Sequence, residues 1–154
     1  MSTPLQIRDA VEADLPALLQ LFQTSGLDTA GHGDLVAVRE AWWQLSHWPG
    51  ARVRVAESGG RIIGSLTLFI LPMLSHQATP CAVVESVGVD AALQGQGAGR
   101  ALMEDAMRLA AQAGCYKLAL SSNLRRSDAH AFYQHLGFDQ HGLSFKVALP
   151  EAAS

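Results

Sequence analysis

Gln94-Gly95-Gln96-Gly97-Ala98-Gly99-Arg100 packs three glycines into five residues, between an apolar run from Val83 to Val89 and a helical pattern from Ala101 to Ala113. A strand, a bare loop and a helix start make a place for an anion. Glycine has no Cβ, so backbone amides there can approach a ligand closely. The first amides of a helix lack internal partners and carry partial positive charge. A diphosphate set against them satisfies several donors at once. The P-loop pattern G-x-x-x-x-G-K-[ST] is absent. The dinucleotide pattern G-x-G-x-x-G also fails, because Arg100 stands where its last glycine belongs. What remains is Q-x-x-G-x-G, at Gln94, Gly97 and Gly99.

The rest of the chain narrows the class. At 154 residues, 49% hydrophobic and 16% charged, it predicts one folded domain, residues 1–154, with a proper core. A net charge of -3 disfavours a nucleic-acid partner, which needs a basic face. Cys81 and Cys115 form neither a disulfide framework nor a metal spacing, and buried thiols are expected. The histidines are not spaced as ligands, so no metal is expected. No leader pattern precedes the first strand and no apolar run approaches about 18 residues, so the expectation is a cytoplasmic protein with no membrane partner.

In chain order, Leu5 to Arg8 reads as a strand. Asp9, Glu12 and Asp14 lead into a helix whose Leu15, Leu18, Leu19 and Phe22 share a face. Asp34 to Trp48 reads as a second helix, stopped by Pro49-Gly50. Arg52 to Ala56 alternates as a half-exposed strand. Ser58-Gly59-Gly60 is a hairpin turn, and Ile62 to Leu71 is the returning, central strand. Pro72 to Pro80 is a loop and Cys81 to Val89 a strand. The helix from Gly97 to Ala113 presents Leu102, Ala106, Leu109 and Ala113 on one face, with Gly114 as its cap. Tyr116 to Ser121 reads as a strand. A further helix begins at Ser127 or Asp128 and ends at Gly137. Phe138 and Ser144 to Leu149 read as pieces of a closing hairpin.

The loop resembles the acetyl-CoA pyrophosphate loop of the GNAT superfamily of N-acetyltransferases, [RQ]-x-x-G-x-[GA]. A second block, Ala129-His130-Ala131-Phe132-Tyr133-Gln134-His135-Leu136-Gly137-Phe138, is similar to the family's A-x-x-F-Y-x-x-x-G-F. Both motifs stand in order at the family's separation, and the resemblance covers about Leu5 to Leu149. It implies an α+β GNAT fold. Its mixed, mostly antiparallel sheet would have six to seven strands and a V-shaped splay, with helices on both faces. The implied activity is transfer of the acetyl group of acetyl-CoA to a primary amine, by direct attack in a ternary complex. Two departures stand out: Gln94 replaces the commoner arginine, and Ala91 and Ala92 occupy a region where the family often has proline.

Such a transfer needs a neutral amine, a polarised carbonyl and a proton for the leaving sulfur. An alkylammonium has a pKa of about 10.4 and must lose a proton before attack. Glu85, a carboxylate in an apolar strand, is the candidate base, directly or through water; pairing with Arg100 or another cation, or simply facing solvent, is the bland alternative. The resemblance gives the main-chain groups of Val87, Gly88 and Val89 to the pantetheine arm and the thioester oxygen. It gives Gln94, Gly95, Gln96, Gly97, Ala98, Gly99 and Arg100 to the diphosphate, Asn123 to a coenzyme hydrogen bond, and the acid role to Tyr133. Acceptor pockets of the family point to His76 and Trp43 as substrate contacts. Tryptophans in this region serve equally as core or as the contact of a homodimer. Ser121 to Phe138 and the tail look most like aminoalkylphosphonate N-acetyltransferases, and Gly114-Cys115-Tyr116-Lys117 resembles glucosamine-phosphate acetyltransferases. A small-molecule amine is therefore the expected acceptor. A protein or peptide acetyltransferase, or an acyl-CoA sensor without catalysis, is the alternative.

Overall fold

The computed structural model of the chain describes residues 3–28, 33–122 and 125–152. These form two compact units, Met1–Leu120 and Ser121–Ser154. The first unit holds a sheet of β1 (Leu5–Asp9), β2 (Ala51–Ser58), β3 (Arg61–Leu71), β4 (Cys81–Val89) and β5 (Leu118–Ala119), in that spatial order. β1 to β4 pair antiparallel, and β5 runs parallel to β4. The helical elements are α1 (Leu15–Thr24), α2 (Leu35–Ser46), a single turn α3 (Ser75–Ala78) and α4 (Ala98–Gln112).

Alternation along β2 explains the layering, because successive strand residues point to opposite faces. Val53 and Val55 join Leu15, Leu18, Leu21 and Phe22 of α1 and Leu35, Val38 and Trp42 of α2 in one apolar cluster. Arg54, between them, points the other way and meets Asp105 of α4. Helices thus cover both faces of the sheet. The buried stripe of α4 is Ala98, Leu102, Met103, Asp105, Ala106 and Ala110. Ala113, expected on that face, is exposed.

Arg54 and Asp105 form a pair that is 8% exposed on each side, joined by bonds of 2.8 and 3.1 Å. Burial alone would lower the Arg54 pKa, but the bonds to Asp105 and Asp9 outweigh it and hold the guanidinium above its ordinary value. Periodicity carries no sign of this pair, since a charge inside an apolar stripe reads only as an interruption.

The sheet has five strands among the described residues, not the six to seven expected. The expected strand Tyr116 to Ser121 shortens to Leu118–Ala119, because only these residues find partners, in Ala82 and Val83. Ser144 to Leu149 carries no strand, and all of it is exposed. Alternation says which faces a strand would have, but not whether an edge is present to pair with. Phe138 belongs to a helix end: its amide bonds the Tyr133 carbonyl at 3.0 Å, around Gly137 with φ of 96°. The second unit's helix, α5 (Ser127–His135), has Arg126 at its cap position and no side-chain cap, where Ser127 or Asp128 was expected to serve.

Candidate active site

β4 is irregular at Glu85, the expected base. Ser65 pairs with Gly88 and Thr67 with Glu85, so two steps along β3 match three along β4. The extra residue is a β-bulge. Ser86 takes it up with φ of 54°, a left-handed conformation that costs a non-glycine residue about 1–2 kcal/mol. The bulge breaks the alternation, so Glu85 and the adjacent Ser86 are both exposed, while Val84 and Gly88 are buried. Glu85 therefore avoids the cost of burying a carboxylate. Among the described residues it has no ion-pair partner, and Arg100 bonds Glu104 instead, at 2.8 Å.

The unusual backbone lies at Ser86, not at Gly88. Gly88 is small for a different reason: a Cβ there would stand 2.8 Å from Ser25 Oγ and 3.0 Å from Leu27 Cδ1. The chain end of α1 lies directly on it. On β4's other edge, β5 pairs with Ala82 and Val83 only. From Val84 onward, that edge has no ladder partner among the described residues. Main-chain groups of Val87 and Val89 are in that open stretch.

The glycine loop follows directly. A 3-10 turn, Ala91–Leu93, leaves β4 and is capped by Asp90, whose side chain accepts from the Ala92 amide. Backbone hydrogen bonding resumes at Ala101, whose amide bonds the Gly97 carbonyl at 3.0 Å. Between Gln94 and Arg100, no amide finds a partner among the described residues. Gly95 and Gly97 have φ of 85° and 88°, and no atom lies within 4 Å of where their Cβ would be. Gly97 caps α4 with no side chain over the helix end. Unspent amides around open space at a helix N-terminus fit a diphosphate. Arg100 bonds Glu104, one turn further along α4, at 2.8 Å.

The two expected substrate contacts, His76 and Trp43, sit on α3 and α2. His76 stacks edge-on against Tyr116 at 4.2 Å, and the Tyr116 amide bonds the Pro80 carbonyl. That is the Cys81 end of β4, about 13 Å along the strand from Glu85 at about 3.3 Å per residue. α3 is itself left-handed, with φ of 53°, 59° and 60° at His76, Gln77 and Ala78. Trp43, on α2, is 63% exposed and packs on His47 at 4.5 Å. In the second unit, Tyr133 is half-buried between Phe132 and Phe138, with ring centroids at 5.3 and 5.8 Å. Burial raises its phenol pKa, and Arg126 offsets this only in part. Asn123 lies outside the described residues.

Sequence reading passed over three features. Asp90 was legible as an Asx cap after a strand. Ser86 had no signal, since bulges leave none in composition. The Ser122 hydroxyl is buried without a partner among the described residues, which no pattern announces.

The acetyltransferase (GNAT) family model matches residues 15–138. The chain belongs to this family. It is 34% identical over 90 residues to a glucosamine 6-phosphate N-acetyltransferase of Trypanosoma brucei brucei, covering 58% of this chain and 59% of that protein. It is 33% identical over 101 residues to an aminoalkylphosphonate N-acetyltransferase of Salmonella typhimurium, covering 66% of this chain and 65% of that protein. The chain thus spans less than two thirds of the length of these relatives. A solved structure from Agrobacterium tumefaciens str. C58, assigned as an acetyltransferase, superposes with a TM-score of 0.88 at 31% identity, over 94% of this chain and 99% of that one. The family match crosses both units, so the GNAT fold includes the Glu85 strand, the glycine loop and the Tyr133 helix.

Proposed function

We propose that the protein is an acetyl-CoA-dependent N-acetyltransferase, a single catalytic domain acting on a primary amine of a small molecule. The observation that carries this is the run of amides from Gln94 to Arg100 that are unpartnered among the described residues, beside a strand whose second edge has no partner among them beyond Val83. The amides of the loop and of α4's first turn hold the diphosphate. The open edge at Val87 to Val89 takes the pantetheine arm, and a free amide there donates to the carbonyl oxygen as charge develops. Bound acetyl-CoA supplies an activated acyl carbon.

Glu85 accepts the proton of the incoming ammonium. Its exposure on the bulge lets that proton pass to it directly or through water, and lets the carboxylate return it to solvent. Tyr133 gives a proton to the departing sulfur. Its raised pKa keeps the phenol protonated at neutral pH. The named activities of the two curated relatives support a small amine as acceptor. Trp43 and Trp48, 63% and 60% exposed, are better read as the contact of a homodimer than as an acceptor box.

The test is a thiol-release assay with acetyl-CoA over amino sugars, aminophosphonates, amino acids, aminoglycosides and peptides. Turnover with a small amine is expected, and Glu85→Gln is expected to lower kcat/KM about 100-fold. Turnover with peptides alone would move the acceptor to proteins. Coenzyme binding with no turnover of any amine would favour the sensor reading.

A further inference from the structure

Among the described residues no main-chain amide from Gln94 to Arg100 finds an acceptor, so the direction of those amides is set by the loop's two ends. One end is α4. The other is Asp90, and every polar group of Asp90 is engaged. Its amide donates to the Ile63 carbonyl at 2.8 Å, and its carbonyl accepts from the Leu93 amide at 2.9 Å. Its Oδ1 accepts from the Ala92 amide at 3.0 Å, and its Oδ2 from Arg61 Nη2 at 2.6 Å. The residue is 7% exposed. Asp90, the residue after β4, thereby ties Ile63 of β3 to Ala92 and Leu93 of the 3-10 turn that launches the loop. Arg61, the first residue of β3, ties it to the β2–β3 hairpin.

A carboxylate is an unexpected anchor for an anion-binding loop. Unpaired, it would repel a diphosphate at short range. Arg61 answers this, since it places a cation on the oxygen that does not cap the turn.

We propose that Asp90 and Arg61 form a positioning pair for the coenzyme loop, in which Asp90 sets the direction of the Gln94–Arg100 amides and Arg61 cancels its charge toward the diphosphate. This rests on the acetyl-CoA reading. Neither residue touches the reacting atoms.

The experiment compares two donors, acetyl-CoA and acetyl-pantetheine, which lacks the diphosphate. Asp90→Ala removes cap and charge together. It should lower kcat/KM for acetyl-CoA about fivefold to tenfold more than for acetyl-pantetheine, with the loss in the acetyl-CoA KM. Asp90→Asn keeps an oxygen for the Ala92 amide and should recover most of that ratio. Arg61→Met should raise the acetyl-CoA KM about threefold in the wild-type background and not at all in Asp90→Asn. Equal losses with both donors, or an Arg61→Met effect of the same size in both backgrounds, would overturn the proposal. Should Asp90→Ala fail to fold, the Arg61→Met comparison decides alone. A wild-type protein whose melting temperature is unmoved by CoA would instead overturn the coenzyme reading itself.

Discussion

Replacing Asp105 by asparagine tests how α4 is held on the sheet. The change keeps the shape of the side chain and removes its charge. Arg54 loses its bidentate partner, bonded through Nε at 2.8 Å and Nη2 at 3.1 Å, in a site where both side chains are 8% exposed. Removing one member of a buried pair costs about 3–5 kcal/mol, because the other charge is left without compensation. Arg54 keeps Asp9 at 2.8 Å, but the Asp9 side chain is 54% exposed and its support is screened by water. We therefore expect a loss of about 3 kcal/mol, near the low end. At about 2–4 °C per kcal/mol for a chain of this size, the melting temperature should fall by about 6–12 °C. Urea titration followed by tryptophan fluorescence measures the free energy, and calorimetry the temperature. The double replacement Arg54→Met with Asp105→Leu should return to within about 1 kcal/mol of wild type, since an apolar pair carries no desolvation penalty. A loss below about 1 kcal/mol in Asp105→Asn, or a double variant less stable than the single, would refute the account of Arg54 as a buried charge that depends on Asp105.

Three further outcomes are expected. Gly97→Ala meets no atom within 4 Å but must hold φ of 88°, so about 1–2 kcal/mol of backbone strain should appear as a raised acetyl-CoA KM; an unchanged KM would remove the loop from the binding site. Tyr133→Phe should lower kcat about 10- to 100-fold where chemistry limits, as judged by insensitivity to solvent viscosity, while full turnover under that condition would end the acid assignment. Hydrogen bonds from Arg52 and Arg8 lower the pKa values of Asp9 and Asp14 below the ordinary 3.8. Folded carboxylates of lowered pKa contribute stability above the unfolded value and lose it as pH falls through that value toward the folded one. The urea midpoint should thus hold from neutral pH to about 5 and drop toward pH 3, with Arg8→Met both lowering the plateau and flattening the drop.

Much of the fold around the candidate site was legible because its signals are local. The glycines at Gly95 and Gly97 announced a bare loop, and their left-handed backbone in open space is what that requires. The run from Cys81 to Val89 read as a strand and forms one with those bounds. Glu85 was conspicuous as a carboxylate in an apolar run. Its exposure was one of the readings left open, and the residue inserted at the bulge decided it, since Glu85 and Ser86 are both exposed. Arg100 was assigned to the anion for its charge, but Glu104, one turn further along α4, holds it at 2.8 Å. His76 was placed near the substrate by analogy of loop, and in the fold its ring rests on Tyr116 at the Cys81 end of β4.

By itself the sequence determined the order of most elements, the bare glycine loop and the family, because periodicity and glycine spacing act within a few residues. Tertiary structure alone decided which edges are paired, where β4 bulges, and which charges meet: Arg54 with Asp105 and Arg61 with Asp90. Those partners lie 51 and 29 positions apart in the chain. The free energy of such contacts depends on burial and on geometry that the sheet must first create, and no local pattern of residues carries that information.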